Sequence, residues 1–219
     1  MDDNKKKIAF IINPISGTQG KEHILKWLDE KLDKNRYMPE VIYTEWAGHA
    51  VEIAARKAKE EVFAVVAIGG DGTINEIARS LVHTKTALGI IPCGSGNGLA
   101  RHLQIPMEAK KAIDIINEGL IDIIDYGKIN DVPFFCTCGV GFDAFVSLQF
   151  SKAGRRGPLI YLEKTLLESL KYKPETYELE MDGSTSRYKA FLIACGNASQ
   201  YGNLSLIHIS EPTRHLRIS

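Results

Sequence analysis

Apolar residues along this chain follow two alternating patterns up to about residue 118 and a different one beyond it. Short continuous apolar runs at 7–12, 41–44, 63–68 and 87–91 have the length and β-branched content of strands buried on both faces. Between them, apolar residues recur at helical spacing: Ile24, Leu25, Leu28 and Leu32, then Val51, Ile53, Ala54, Ala55 and Ala58, then Ile74, Ile77, Ala78 and Leu81. The stretch at 107–118 is amphipathic and closes at Gly119. Strands separated by amphipathic helices at this spacing predict α/β architecture, a doubly wound parallel sheet.

From about Leu120 the pattern changes. Stretches 120–127, 134–138, 175–181 and 187–195 read as strands, with polar turns at Asn130-Asp131 and Asp182-Gly183-Ser184. One helix is expected among them, at 161–171, with Leu162, Leu166, Leu167 and Leu170 on its apolar side. A shift from alternating β/α to mostly β predicts a second, β-rich domain. The expected division is an α/β domain over 1–125 and a β-rich domain over 126–203, with a separate tail over 204–219.

Composition narrows the function classes. Acidic and basic residues balance at 27 each, so charge gives no push towards nucleic acid. No apolar run approaches the ~20 residues that span a bilayer. The few apolar residues before Asn13-Pro14 are too short for a secretory leader. The cysteines, Cys93, Cys136, Cys138 and Cys195, lack paired C-x-x-C spacing. Cys136 and Cys138 are expected on one strand face as a buried structural pair, and the thiols are expected to be reduced in a cytoplasmic protein. The basic stretch at 151–158 reads as a solvated loop, with contact to a membrane surface as the sharper alternative.

Candidate chemistry gathers where strands end. The run at 65–68 stops in Gly69-Gly70-Asp71-Gly72-Thr73, and a helical pattern follows at once. Strand, glycine turn and helix present backbone N–H groups and a helix N-terminus to an anion. Asp71 repels phosphate, but it suits Mg²⁺, directly or through water, or the proton of an attacking hydroxyl. The first strand ends in Asn13-Pro14-Ile15-Ser16-Gly17, and the loop that follows lacks the spacing of a Walker A loop. The fourth strand ends in Pro92-Cys93-Gly94-Ser95-Gly96-Asn97, followed by Arg101 and His102, which suit phosphate charge. In an open α/β sheet these loops share the carboxyl edge of the strands. His49 is expected at the first turn of a helix in a capping role.

Taken together, Asn13-Pro14-x-Ser16-Gly17, Gly69-Gly-Asp-Gly-Thr73 with Asn75-Glu76, and Pro92-x-Gly94-Ser-Gly96-Asn97 resemble the diacylglycerol kinase catalytic-domain superfamily. That group includes bacterial soluble diacylglycerol kinases, sphingosine kinases and ceramide kinases, and the resemblance runs from about residue 6 to 203. It implies a nucleotide-binding α/β domain followed by a β-rich, sandwich-like domain, with ATP in the cleft between them. It puts Asn13, Pro14, Ser16, Gly17, Gly69, Gly70, Gly72, Thr73, Asn75, Glu76, Gly94, Ser95, Gly96 and Asn97 around the nucleotide. Asp71 matches an aspartate essential in the family, as a Mg²⁺-linked carboxylate or a general base. Asp143, in Gly139-Val-Gly-Phe-Asp143-Ala144, matches a carboxylate near the lipid hydroxyl.

The implied activity is ATP-dependent phosphorylation of a primary hydroxyl on diacylglycerol or a sphingoid-like lipid. The implied setting is cytoplasmic and peripheral to the inner face of the membrane, without nucleic acid or a transmembrane segment; the oligomeric state stays open, a homodimer included. One rival is an NAD kinase, which shares Gly-Gly-Asp-Gly-Thr but lacks the loop at 92–97. Another is a nucleotide-binding protein that transfers nothing. The sequence after Asn203 departs from the family, and 204–219 is expected to be a non-native tail on a truncated frame.

Overall fold

The computed structural model describes residues 5–15, 21–142, 144–145, 172–198, 200–201 and 204–205. The first half alternates as expected: β1 (Lys6–Ile12), α1 (Glu22–Lys31), β2 (Tyr37–Tyr43), α2 (His49–Lys59), β3 (Ala64–Gly69), α3 (Asp71–Leu81), β4 (Ala87–Pro92), α4 (Gly98–His102) and α5 (Ala109–Glu118). Among the described residues the four strands form one parallel sheet in the order β2-β1-β3-β4. Phe10 stands between Val41 and Val66, and Val66 in turn opposes Gly89. The chain leaves β1 for β2 on one side and returns to β3 on the other. The sheet therefore reverses its winding between β1 and β3, and the loops beyond their carboxyl ends part there.

Alternate strand residues feed two cores. Ala9, Ile11, Val65, Ala67 and Ile90 pack with Ile53, Ile74, Ile77 and Leu81 of α2 and α3. On the other face, Ile8, Phe10, Ile12, Val66, Ile68 and Ile91 pack with Ile24, Leu28 and Ile113 of α1 and α5. Burial on both faces explains why the strands are unbroken apolar runs. Each Ile, Leu, Val or Phe so removed from water contributes about 1.5–3 kcal/mol.

β2 starts at Tyr37, ahead of the expected 41, and contains Pro39. It is an edge strand, where a missing N–H is tolerated. Its Met38, Val41 and Tyr43 are exposed, and Pro39-Glu40 break the apolar run that marks its second half in the sequence. α3 begins at Asp71 itself, so the junction after β3 is the single residue Gly70.

The later strands are short: β5 (Gly127–Ile129), β6 (Val132–Phe134), β7 (Thr137–Gly141), β8 (Glu175–Met181), β9 (Ser184–Ala190), β10 (Leu192–Gly196), β11 (Gln200–Tyr201) and β12 (Leu204–Ser205). The β5–β6 and β8–β9 hairpins turn on two residues with positive φ, Asn130-Asp131 and Asp182-Gly183, the backbone of a type I′ turn. Three strand expectations are corrected. The run at 134–138 is divided between β6 and β7, with Phe135 and Cys136 in neither. Residues 120–126 form no strand, since among the described residues no strand pairs with their backbone; Leu120 is 83% exposed and Ile123 99%. The run at 187–195 breaks at Phe191, because β9 pairs with β8 whereas β10 pairs with β7. Phe191 turns its ring onto Phe142 and Tyr172, at centroid distances of 4.6 and 5.1 Å.

The described residues of Met1–Cys136 and Asn197–Ser219 form one compact unit, and those of Thr137–Gly196 form another. β11 and β12 pair antiparallel, so the first residues of the expected tail take part in a hairpin. The expected helix at 161–171 and the basic stretch at 151–158 lie outside the described residues.

Candidate functional site

Because β1, β3 and β4 run parallel, their loops emerge at one edge of the sheet. The Asn13 N–H donates to the Ile68 carbonyl at 3.3 Å, carrying the β1–β3 ladder one residue further. Its side-chain amide donates to Thr73 Oγ1 at 3.2 Å, and its Oδ1 accepts the Ile15 N–H at 3.0 Å across Pro14. Asn13 thereby ties the first loop to the first turn of α3. Ser16 and Gly17 lie outside the described residues, as does Asp143.

The loops after β3 and β4 meet backbone to backbone. The Gly69 carbonyl accepts the Cys93 N–H at 2.8 Å. A Cβ built on Gly94 would stand 2.7 Å from the Gly70 Cα, and one on Gly69 would stand 2.7 Å from the Thr73 side chain. Gly72 differs: among the described residues nothing lies within 4 Å of a Cβ built there. Among the described residues the space beside Gly72, in the first turn of α3, is therefore open. This helix has no side-chain cap, and Ile74 is the first residue whose N–H bonds back, to the Gly70 carbonyl at 3.1 Å. The N–H groups of Asp71, Gly72 and Thr73 have no intrahelical acceptor and sit at the positive end of the helix.

The Asp71 carboxylate reaches across to the loop after β4. One oxygen accepts the Asn97 N–H at 2.8 Å and the other the Gly98 N–H at 2.6 Å. Asn97 is the residue before α4 and Gly98 its first, so the residue that opens α3 also anchors the start of α4. Asn97 is 4% exposed and left-handed, at φ 56°. Its Oδ1 accepts the Gly94 N–H at 2.9 Å, and its Nδ2 donates to the Gly94 carbonyl at 2.6 Å. Arg101 Nε donates to the Gly96 carbonyl at 2.8 Å. Asn97, Gly94 and Arg101 thus shape the loop that carries them, while Ser95 is exposed. Asn75 and Glu76 are half-buried one turn along α3 from Asp71.

Cys136 is the neighbour that sequence reasoning missed. A Cβ on Gly98 would lie 3.7 Å from both Asp71 Oδ1 and Cys136 Sγ. Burial and the Asp71 charge push the Cys136 thiol up to about 11. Cys136 and Cys138 do not form the expected buried pair: each is only half-buried, and Cys138 alone lies in β7. Asn197 lies within the stretch covered by the family resemblance but is not among the expected site residues. Its N–H donates to the Cys136 carbonyl at 2.6 Å, and its Nδ2 donates to the carbonyls of Asp125 and Phe135. His49 does not cap α2, whose preceding residue is Gly48; its ring stacks on Trp46 with centroids 3.7 Å apart.

Among the described residues no group of three His, Cys, Asp or Glu gathers to hold a metal. A Mg²⁺ carried by a triphosphate needs only one or two carboxylates beside phosphate and water. Asp71 fits that demand, since its two N–H bonds leave about half of a carboxylate's acceptor positions.

Residues 7–129 match the family described as diacylglycerol kinase catalytic domain. Residues 136–209 match the YegS C-terminal NAD kinase beta sandwich-like domain, a match that runs into the expected tail. The chain is 30% identical over 196 residues to a diacylglycerol kinase of Staphylococcus saprophyticus subsp. saprophyticus, covering 88% of this chain and 64% of that protein. It is 31% identical over 199 residues to a diacylglycerol kinase of Staphylococcus aureus, covering 88% and 62%. It thus spans just under two thirds of the length of these relatives. The crystal structure of a diacylglycerol kinase from Bacillus anthracis str. Sterne shares its fold, with a TM-score of 0.69 at 23% identity over 91% of this chain and 67% of the other.

Proposed function

The chain belongs to the diacylglycerol kinase catalytic-domain family, and from that membership we propose that it transfers the terminal phosphoryl group of ATP to a primary hydroxyl of a lipid alcohol, diacylglycerol or a sphingoid-like lipid. The observation that carries this reading is the start of α3, which among the described residues has no side-chain cap and opens onto free space at Gly72 beside the Asp71 carboxylate. Phosphoryl transfer asks a protein chiefly for positioning and charge stabilisation. The N–H groups of residues 71–73 suit phosphate oxygens. Asn13 and Thr73, bonded to each other, steady the loops on either side, while Ser95 is exposed and Gly96 half-buried in the loop that Asn97 closes.

Asp71 is the residue that would hold Mg²⁺, through water, or take the proton of the acceptor hydroxyl. The ion itself supplies neutralisation of the triphosphate charge. Asp143 is the substrate-side carboxylate in this reading. A lipid acceptor brings the protein to a bilayer surface, so the proposal includes peripheral association with the inner face of the membrane and a place in phospholipid biosynthesis. Among the described residues no helix is long and apolar enough to cross a membrane.

The NAD kinase likeness carried in the description of the second matched domain keeps NAD as a competing acceptor. The test is incubation with labelled ATP, Mg²⁺ and mixed micelles of diacylglycerol or a sphingoid base, with NAD in a separate arm. A labelled lipid product that vanishes in Asp71→Asn is expected. Labelled NADP without labelled lipid would replace the reading by NAD phosphorylation, and ATP binding without any product would replace it by nucleotide binding alone.

A further inference from the structure

β7 and β10 run antiparallel in the unit formed by Thr137–Gly196, and their register sets Cys138 directly opposite Cys195. The Phe142 N–H donates to the Phe191 carbonyl at 3.0 Å, and the Asn197 N–H donates to the Cys136 carbonyl at 2.6 Å. Both contacts lie an even number of residues from the cysteines, so Cys138 and Cys195 occupy a hydrogen-bonded pair of the ladder. Such pairs hold their Cα atoms about 5.5 Å apart, within the span that a disulfide bridges. The two thiols face each other closely enough for Cys195 to hold the proton on Cys138 more tightly. Cys195 is exposed and Cys138 half-buried, which gives the pair one sulfur open to a reagent and one sheltered behind it. Cys93 and Cys136 belong to the other unit.

We propose that Cys138 and Cys195 form a reversible redox site, closed to a cross-strand disulfide by a peroxide. The Cys195 thiolate attacks a peroxide oxygen; the O–O bond breaks, leaving a sulfenic acid on Cys195 and releasing hydroxide. The Cys138 sulfur then attacks the sulfenic sulfur and gives up its proton, the S–O bond breaks, and water leaves. Two thiols are oxidised to one disulfide, and hydrogen peroxide is reduced to two waters. The roles follow from position: burial raises the Cys138 thiol and shields it, which suits the second step rather than the first. Cβ atoms in hydrogen-bonded pairs lie at the long end of the cross-strand range. The strands must draw together to close the bond, and a disulfide closed against such a separation is readily reduced. When closed, it staples β7 to β10 just before Gly139-Val140-Gly141.

The site is tested by exposing the chain to hydrogen peroxide, counting thiols after denaturation and mapping linked peptides. The expected result is a fall from four titratable thiols to two, restored by a reductant, with a peptide joining Cys138 to Cys195. Cys138→Ser should leave a sulfenic acid on Cys195 that a dimedone-type reagent traps, and Cys195→Ser should abolish the linked peptide. A count that stays at four, or a link involving Cys93, Cys136 or a second chain, overturns the proposal. Mapping on the unsubstituted chain decides the matter even if a serine variant misfolds, and neither readout depends on kinase activity.

Discussion

Asp71 stands at the mouth of α3 while accepting two backbone N–H groups from the start of α4, so replacing it probes shape and chemistry together. In Asp71→Asn one acceptor becomes a donor facing another donor. We expect a loss of about 1–3 kcal/mol in denaturant unfolding, together with loss of turnover. Turnover lost at unchanged stability would mean that the bonds to α4 carry no weight. Gly72 and Gly94 are alike as turn glycines in the sequence, and only their surroundings separate them. Gly94→Ala drives a methyl into the Gly70 backbone and should cost about 1–3 kcal/mol in the same unfolding measurement. Gly72→Ala should leave unfolding nearly unchanged but weaken binding in a fluorescent-ATP titration, because its methyl would occupy the open space. Cys136 adds a pH signature. Its thiol holds its proton more tightly folded than unfolded, so its contribution is full below about pH 9 and is lost as pH rises towards about 11. Melting temperatures across that window should show wild type losing its advantage over Cys136→Ser; parallel curves would contradict the assignment.

At the scale of elements, the edge strand β2 is clamped to α2 by Lys57, which is 8% exposed and bonds Glu40 at 2.7 Å and Glu60 at 2.8 Å. Burial disfavours its charge, and the bonds to the two carboxylates outweigh that, so the ammonium is held above its usual range. Either carboxylate alone can satisfy it. Glu40→Gln or Glu60→Gln should therefore cost little, and the double variant should cost more than the sum, with a coupling of about 0.5–3 kcal/mol in a denaturant double-mutant cycle. Additive costs would mean that the carboxylates act independently. The elements themselves were legible where burial is two-sided: β1, β3 and β4 emerged within a residue of expectation at either end. At β2 expectation found only the second half of the strand, because Pro39 and Glu40 interrupt its apolar run, and it failed at Phe191, where one apolar run serves two different partners.

For the whole molecule, the row Leu120, Ile121, Ile123 and Ile124 is the largest departure from a sealed surface among the described residues. An extended apolar stretch with open backbone groups invites pairing between chains. Leu120→Lys combined with Ile123→Lys should reduce self-association in sedimentation velocity, and an unchanged sedimentation profile would show that the contact lies elsewhere.

Hydrophobic period and turn chemistry are local properties, so the sequence by itself determined the α/β alternation, the β-rich continuation and the glycine loops that carry the family resemblance. Tertiary structure decided everything that depends on residues far apart in the chain. It set the reversal of the sheet between β1 and β3, and so the meeting of Asn13 with Thr73. It also turned Asp71 into the anchor of α4, 27 residues away, and brought Cys138 opposite Cys195. Such pairings rest on register and strand order, which long-range packing selects and which no stretch of sequence encodes alone.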